Sequence, residues 1–190
     1  HCTSSAASDV YKRQFLFCVH HNDKYPPASK NFIPKSDMVG RNIGNDFSNI
    51  NGWNMYHGET VPGFPRHPHR GFETLTVVEK GYIDHSDSLG AKARYGEGDS
   101  QWLTAGNGIN HSEMFPLFNQ KEGNELDFFQ IWINLPSKSK RVNPNFLMFW
   151  KNKIPKIELK DANGIVSTVE IISGDFGGVI APEALSLIHI

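Results

Sequence analysis

From residue 72 onward, apolar and polar positions alternate in short stretches, and no long stretch repeats apolar residues at i, i+3, i+4 and i+7. Residues 72–79 (FETLTVVE) are β-branched and roughly alternating, which predicts a strand. Lys80 and Gly81 punctuate it, and 82–84 (YID) resumes. Residues 96–99 (GEGD) and 105–108 (AGNG) read as turns on either side of a short strand, 100–104 (SQWLT), and 109–114 (INHSEM) follows as another. The strongest strand signal is 127–135 (DFFQIWINL), ended by Pro136, with two more at 146–150 and 165–172. Residues 25–63 are rich in Pro, Asn, Gly and Ser, which predicts loops with one or two short strands. Many short strands broken by Gly and Pro point to an all-β sandwich or barrel, and no internal repeat is visible.

Composition narrows the function classes. A chain of 190 residues suits one domain, or one domain with extensions, and 38% hydrophobic with 21% charged residues suits a globular chain rather than a disordered one. Nineteen Lys and Arg against twenty Asp and Glu give a net charge of -1. That lacks the basic footprint of direct nucleic-acid binding. The longest apolar run, 15–19 (FLFCV), is too short for a membrane span or a signal peptide. Cys2 and Cys18 are the only cysteines, which excludes a disulfide framework and a thiolate zinc site and leads to the expectation of a reducing, cytoplasmic setting.

The two ends read differently from the rest. The first methionine is Met38, and 1–14 (HCTSSAASDVYKRQ) resembles translated linker or adapter sequence, as does 185–190 (LSLIHI). The expected organisation is a non-native leader at 1–14, an N-terminal extension at 15–34, one domain at 35–178 and a truncated or non-native tail at 179–190. His1 and His189 are set aside as ligands on that ground, and His20 and His21 are expected to precede the domain and be solvated.

The chemistry sits in the histidines. His57, His67, His69, His85 and His111 fall between Met55 and Glu113. His67 and His69 are two residues apart, and so are His111 and Glu113. In a strand such residues point to the same face. Two neighbouring strands would thus bring together three imidazoles and one carboxylate. Nitrogen and oxygen donors without sulfur suit Fe(II), Mn, Ni, Cu or Zn, with open positions on a six-coordinate ion. Glu73 follows His69 by four residues and, on a continuous strand, would share its face, so the carboxylate ligand is either Glu73 or Glu113. His57 and His85 lie in polar, loop-like stretches and are at most supporting or substrate-facing groups.

At these residues the chain resembles the pirin family of the cupin superfamily. The resemblance is carried by 62–74 (PGFPRHPHRGFET) and 98–114 (GDSQWLTAGNGINHSEM), with later matches at 129–136 (FQIWINLP) and 171–175 (IISGD), and it covers about residues 34–178. It implies a cupin-type jelly-roll barrel holding one iron, with His67, His69, His111 and Glu113 as ligands. In most other cupins the carboxylate follows the HxH by four residues, the place of Glu73 here. The pirin pattern puts it at Glu113. Residues 51–60 (NGWNMYHGET) differ from the better-known animal members and look more like a bacterial-type branch. Pirins usually carry two barrels, and this chain ends where the second would begin.

The resemblance further implies a quercetin 2,3-dioxygenase-like oxygenase acting on a flavonol and dioxygen, with Glu113 as the general base for the flavonol hydroxyl. Phe72, Trp102 and Phe129 are candidates for an apolar mouth that takes a flat aromatic substrate. The competing reading is an iron-dependent, redox-responsive binding protein or transcriptional co-regulator without turnover. Oxygen uptake with quercetin separates the two.

Overall fold

The structure, a computed structural model, describes residues 16–181. The calls made on the leader 1–14, on residue 15 and on 182–190 lie outside the described residues. Thirteen strands are present among those described: β1 (Leu16–Tyr25), β2 (Gly63–His69), β3 (Phe72–Lys80), β4 (Tyr82–Asp87), β5 (Lys92–Gly96), β6 (Ser100–Thr104), β7 (Ile109–Met114), β8 (Asn124–Asn134), β9 (Asn145–Phe149), β10 (Lys156–Lys160), β11 (Val166–Glu170), β12 (Asp175–Phe176) and β13 (Val179–Ile180). They form a five-stranded sheet in the order β1-β8-β3-β6-β9, a four-stranded sheet in the order β2-β7-β4-β5, and two small hairpins. All named pairings are antiparallel. The architecture is all-β, a cupin-type jelly roll.

The two large sheets face each other. Val78, Leu126 and Phe128 of the first meet Ile83 and Tyr95 of the second in one apolar cluster, closed at that end by Trp53, Met55 and Phe115. Each such side chain removed from water contributes roughly 1.5–3 kcal/mol. The outer face of the five-stranded sheet is covered as well. Leu75, Trp102, Ile133 and Leu147 pack there with Ile154 and Ile172 from the C-terminal segment. This second cover explains why all five residues of β6 are buried.

β1 corrects one expectation. The segment placed in an N-terminal extension pairs with β8 along its full length, from Leu16 opposite Ile133 to Tyr25 opposite Asn124. Its burial alternates strictly, with odd-numbered residues turned inward. The inward residues include His21 and Asp23, so the alternation is structural but not apolar and does not show as hydrophobic periodicity. His21 is therefore not solvated: it stacks on Phe128 at 4.5 Å and bonds the Tyr56 hydroxyl at 2.8 Å. His20 is exposed, as expected, and reaches Asp127.

The expected loop region 25–63 contains no strand longer than isolated bridges up to Gly63, but it is well anchored. Arg41 and Asp46 form a buried ion pair at 2.6 Å. The guanidinium lies 3.4 Å over the Trp53 ring and donates to the Trp53 carbonyl at 2.9 Å.

Candidate metal centre

Two local features aim the histidines. First, β2 is an edge strand, which accommodates Pro65 and Pro68 without breaking a central ladder. Second, β2 carries a bulge against β7. Phe64 lies opposite Glu113 and His67 opposite His111, so β2 spends one residue more than its partner. On a regular strand, Phe64 and His67, three residues apart, would point to opposite faces; the bulge absorbs the extra residue. At the start of β2, Gly63 has φ +130°, and a Cβ there would sit 2.4 Å from the Glu113 carbonyl oxygen, so only glycine lets β2 approach β7 this closely.

His67, His69 and His111 come together as the parity argument predicts. Their candidate ligand nitrogens all lie within 4.8 Å of one another. His67 Nε2 is 3.1 Å from His69 Nε2, and the rings of His67 and His111 are 4.4 Å apart. His111 is only 1% exposed, and its Nε2 is buried with no hydrogen-bond partner. Burial first, then the neighbouring imidazoles, push the pKa values of His69 and His111 down to about 3. Both rings are thus neutral near pH 7 and keep a lone pair for a cation.

The hydrogen bonds set the tautomers. His67 Nδ1 is 2.8 Å from the Pro65 carbonyl, which can only accept, so Nδ1 carries the proton and Nε2 is left bare. His85 Nε2 donates to Asp87 at 3.0 Å, which leaves His85 Nδ1 as an acceptor for the Gln101 amide at 3.0 Å and for His111 Nδ1 at 3.5 Å. Gln101 in turn accepts from the Tyr95 hydroxyl at 3.1 Å. This chain turns the bare Nε2 of His111 toward the cluster. His85 and Asp87 were legible only as a polar stretch, yet they share the i, i+2 spacing of the other pairs and lie inward on β4.

The two carboxylates differ. Glu113 Oε2 is 3.9 Å from His111 Nε2, and both Glu113 oxygens accept from Gln130 Nε2 at 3.0 Å. Gln130 is itself held by Trp132 Nε1 at 2.7 Å. Glu73 does not share the His69 face. β2 ends at His69, Gly71 turns the chain with φ +78°, and β3 enters the opposite sheet. On β3, Thr76 faces inward toward Gln130, so odd-numbered Glu73 faces outward, where Oε1 accepts from Thr104 at 2.6 Å. His57 also stands apart, exposed and bonded to the Gly44 carbonyl.

A cavity of about 480 Å³ opens beside His69. Phe72 and Trp132 stack along it with ring centroids 4.7 Å apart, and His69 meets both edge-on at 4.9 and 5.1 Å. Of the three aromatics expected at this mouth, only Phe72 lines it. Trp102 is buried in the outer-face cluster, and Phe129 is surface-exposed and stacked on His20. Trp132 takes their place, because its even number on β8 sets it inward with Gln130.

The pirin family model matches residues 30–133. The chain belongs to the pirin family. It is 45% identical over 120 residues to pirin-like protein 2 of Arabidopsis thaliana, covering 63% of this chain and 34% of that one. A Pseudomonas aeruginosa protein provisionally named quercetin 2,3-dioxygenase is 41% identical over 115 residues, covering 60% of this chain and 39% of that one. The chain therefore spans less than two fifths of the length of these curated relatives. A crystal structure named quercetin 2,3-dioxygenase from Acinetobacter baumannii superposes with a TM-score of 0.65 at 26% identity, over 93% of this pirin chain and 52% of that one. No helix among the described residues is long and apolar enough to cross a membrane.

Proposed function

We propose that this chain forms the metal-binding barrel of a quercetin 2,3-dioxygenase-like oxygenase, with iron(II) held by His67, His69, His111 and Glu113. The observation that carries this reading is the buried, unpartnered Nε2 of His111, facing two further imidazoles beside an aromatic-walled cavity. A buried lone pair without a donor is costly, and a cation held by all three imidazoles satisfies it. The residues fit a divalent first-row metal: three neutral imidazoles, one carboxylate nearby and no sulfur. Iron, when bound, would supply Lewis acidity and a redox couple for dioxygen chemistry. The names of the Pseudomonas and Acinetobacter relatives support a flavonol and dioxygen as the substrates.

The protein's own groups divide the remaining work. His85 and Asp87 hold the tautomer of His111. Phe72 and Trp132 present flat faces to a planar ring. Glu113, steadied by Gln130, accepts the proton of the substrate hydroxyl as general base.

Metal content by plasma mass spectrometry, on wild type beside His67→Ala/His111→Ala purified without oxygen, is the test. Near-stoichiometric iron that disappears in the double variant is expected, followed by oxygen uptake with quercetin in the wild type. Glu113→Gln should retain most metal and lose most uptake. A wild type that refuses added Fe(II) would sink the reading, and iron without uptake would favour the redox-responsive binding protein instead.

A further inference from the structure

The cavity beside His69 carries two cations, Arg70 and Lys140, and among the described residues no Asp or Glu lines it. Lys140 Nζ donates to the Gly71 carbonyl at 3.0 Å and to Asn134 Oδ1, both neutral acceptors. An ammonium has three N–H groups, so one donor remains for a ligand. Arg70 makes a single long contact, 3.4 Å to Asn107 Oδ1, and the rest of its guanidinium fork is open. Some cations elsewhere are neutralised. Arg41, Lys80, Arg94 and Lys156 each meet a carboxylate. The chain is not short of acids, having twenty of them against nineteen basic residues. A half-buried ammonium and an open guanidinium at one cavity gain charge-assisted hydrogen bonds from an anion that enters it.

Resting on the oxygenase reading for its location, we propose that this cavity selects an aromatic oxyanion: a planar ring laid against the wall that Phe72 and Trp132 form, with a negatively charged oxygen met by Lys140 and Arg70. The stacked pair of Phe72 and Trp132 supplies the apolar wall, and His69 joins that wall to the metal cluster. A ring carboxylate and a deprotonated ring hydroxyl share this chemistry. Charge-assisted hydrogen bonds to the oxyanion distinguish it from an uncharged ring of the same shape.

Isothermal titration of the purified protein without oxygen tests the inference with no turnover required. One arm compares 2-naphthoate with 2-naphthamide, the other 2,4-dinitrophenolate with 2,4-dinitroanisole. In each arm ring and size are nearly matched and charge differs. The anion should bind about tenfold more tightly than its neutral partner in at least one arm, and the arm that shows it identifies carboxylate or phenolate. Arg70→Gln and Lys140→Gln should each shrink the gap without weakening the neutral probe, and so should raised salt. Phe72→Ala should weaken both members of a pair. Equal affinity of anion and neutral probe in both arms, no binding of any probe, or a gap that survives in Arg70→Gln/Lys140→Gln would overturn the proposal. Iron content measured on the same samples keeps the two readings apart. Anion preference in a protein that refuses iron would sink the oxygenase reading alone. Full iron loading without anion preference would sink this inference alone.

Discussion

Two polar clusters are buried in the same barrel, and they are finished to different degrees. In the one closed by residues 25–63, the buried Arg41, Asp46 and Asp23 all have partners. Asp46 accepts from Arg41, Ser48 and the Met55 amide, and Asp23 accepts from Tyr56 and twice from Asn54. Around the histidines the account does not close. His111 Nε2 has no partner, and His67 and His69 turn their Nε2 atoms on each other. A buried cluster that satisfies itself holds the fold, while one left open among rigid strands is arranged for something that binds.

Removing one partner of the closed cluster should have the largest effect on stability. Arg41→Met leaves Asp46 buried without its counter-charge and should cost about 3–5 kcal/mol in urea denaturation. The folded fraction should still take up metal normally. His69→Ala should do the reverse. Metal affinity should fall by more than about 100-fold in a competition titration, while the metal-free protein unfolds within about 1 kcal/mol of wild type. A large loss of stability in His69→Ala would make the histidine cluster structural and erase the contrast.

Acid should act on the buried groups with opposite signs. Burial holds His21 at about 4 and His69 and His111 at about 3 in the folded, metal-free protein, against 6.5 for an exposed ring. Their stabilising contribution is complete above pH 6.5 and is lost as the pH falls toward those values, because only the unfolded chain takes up protons there. Asp23 works the other way. Burial raises it from 3.8 to about 6, so its contribution is present below pH 3.8 and lost as the pH rises through 6. Three protons against one leave a net uptake of about two on unfolding, so stability should rise by roughly 3 kcal/mol per pH unit between pH 4 and 6. Asp23→Asn removes the opposing proton and should steepen that slope in pH-resolved urea titrations. A flat profile would mean that the rings are not buried neutral.

Smaller effects sharpen the picture. Asp87→Asn leaves His85 free to change tautomer, which should weaken metal binding by about 10- to 100-fold, with ring protons of His111 shifted in the nuclear magnetic resonance spectrum. Glu73→Gln should change metal content least, because its carboxylate stands on the outer face of β3. Loss of metal in that variant would restore it as a ligand candidate.

Strands whose inward residues are apolar, or that glycine turns bracket, were legible in the linear pattern. β6 and β7 fall within the bounds that the turns at 96–99 and 105–108 predict. β1 was not, because His21 and Asp23 occupy inward positions and the polar partners that make them tolerable lie at Tyr56 and Asn54, far along the chain. The bulge in β2 leaves no trace in residue type. Trp102 and Trp132 look alike as aromatic residues in apolar strands, yet one packs under the C-terminal segment and the other walls the cavity.

Spacing alone determined that His67 with His69, and His111 with Glu113, share a face, since side-chain direction along a strand follows from local covalent geometry. The lack of a thiolate cluster and of charge runs likewise restricted the chemistry before any fold was known. Tertiary structure alone decided which sheet each strand joined and which face became the interior. That choice turned Glu73 outward, recruited His85 and Asp87 behind His111, and put Trp132 beside His69. Pairing across a sheet and stacking between sheets are non-local, so the same alternating stretch can present either face until its partners are in place.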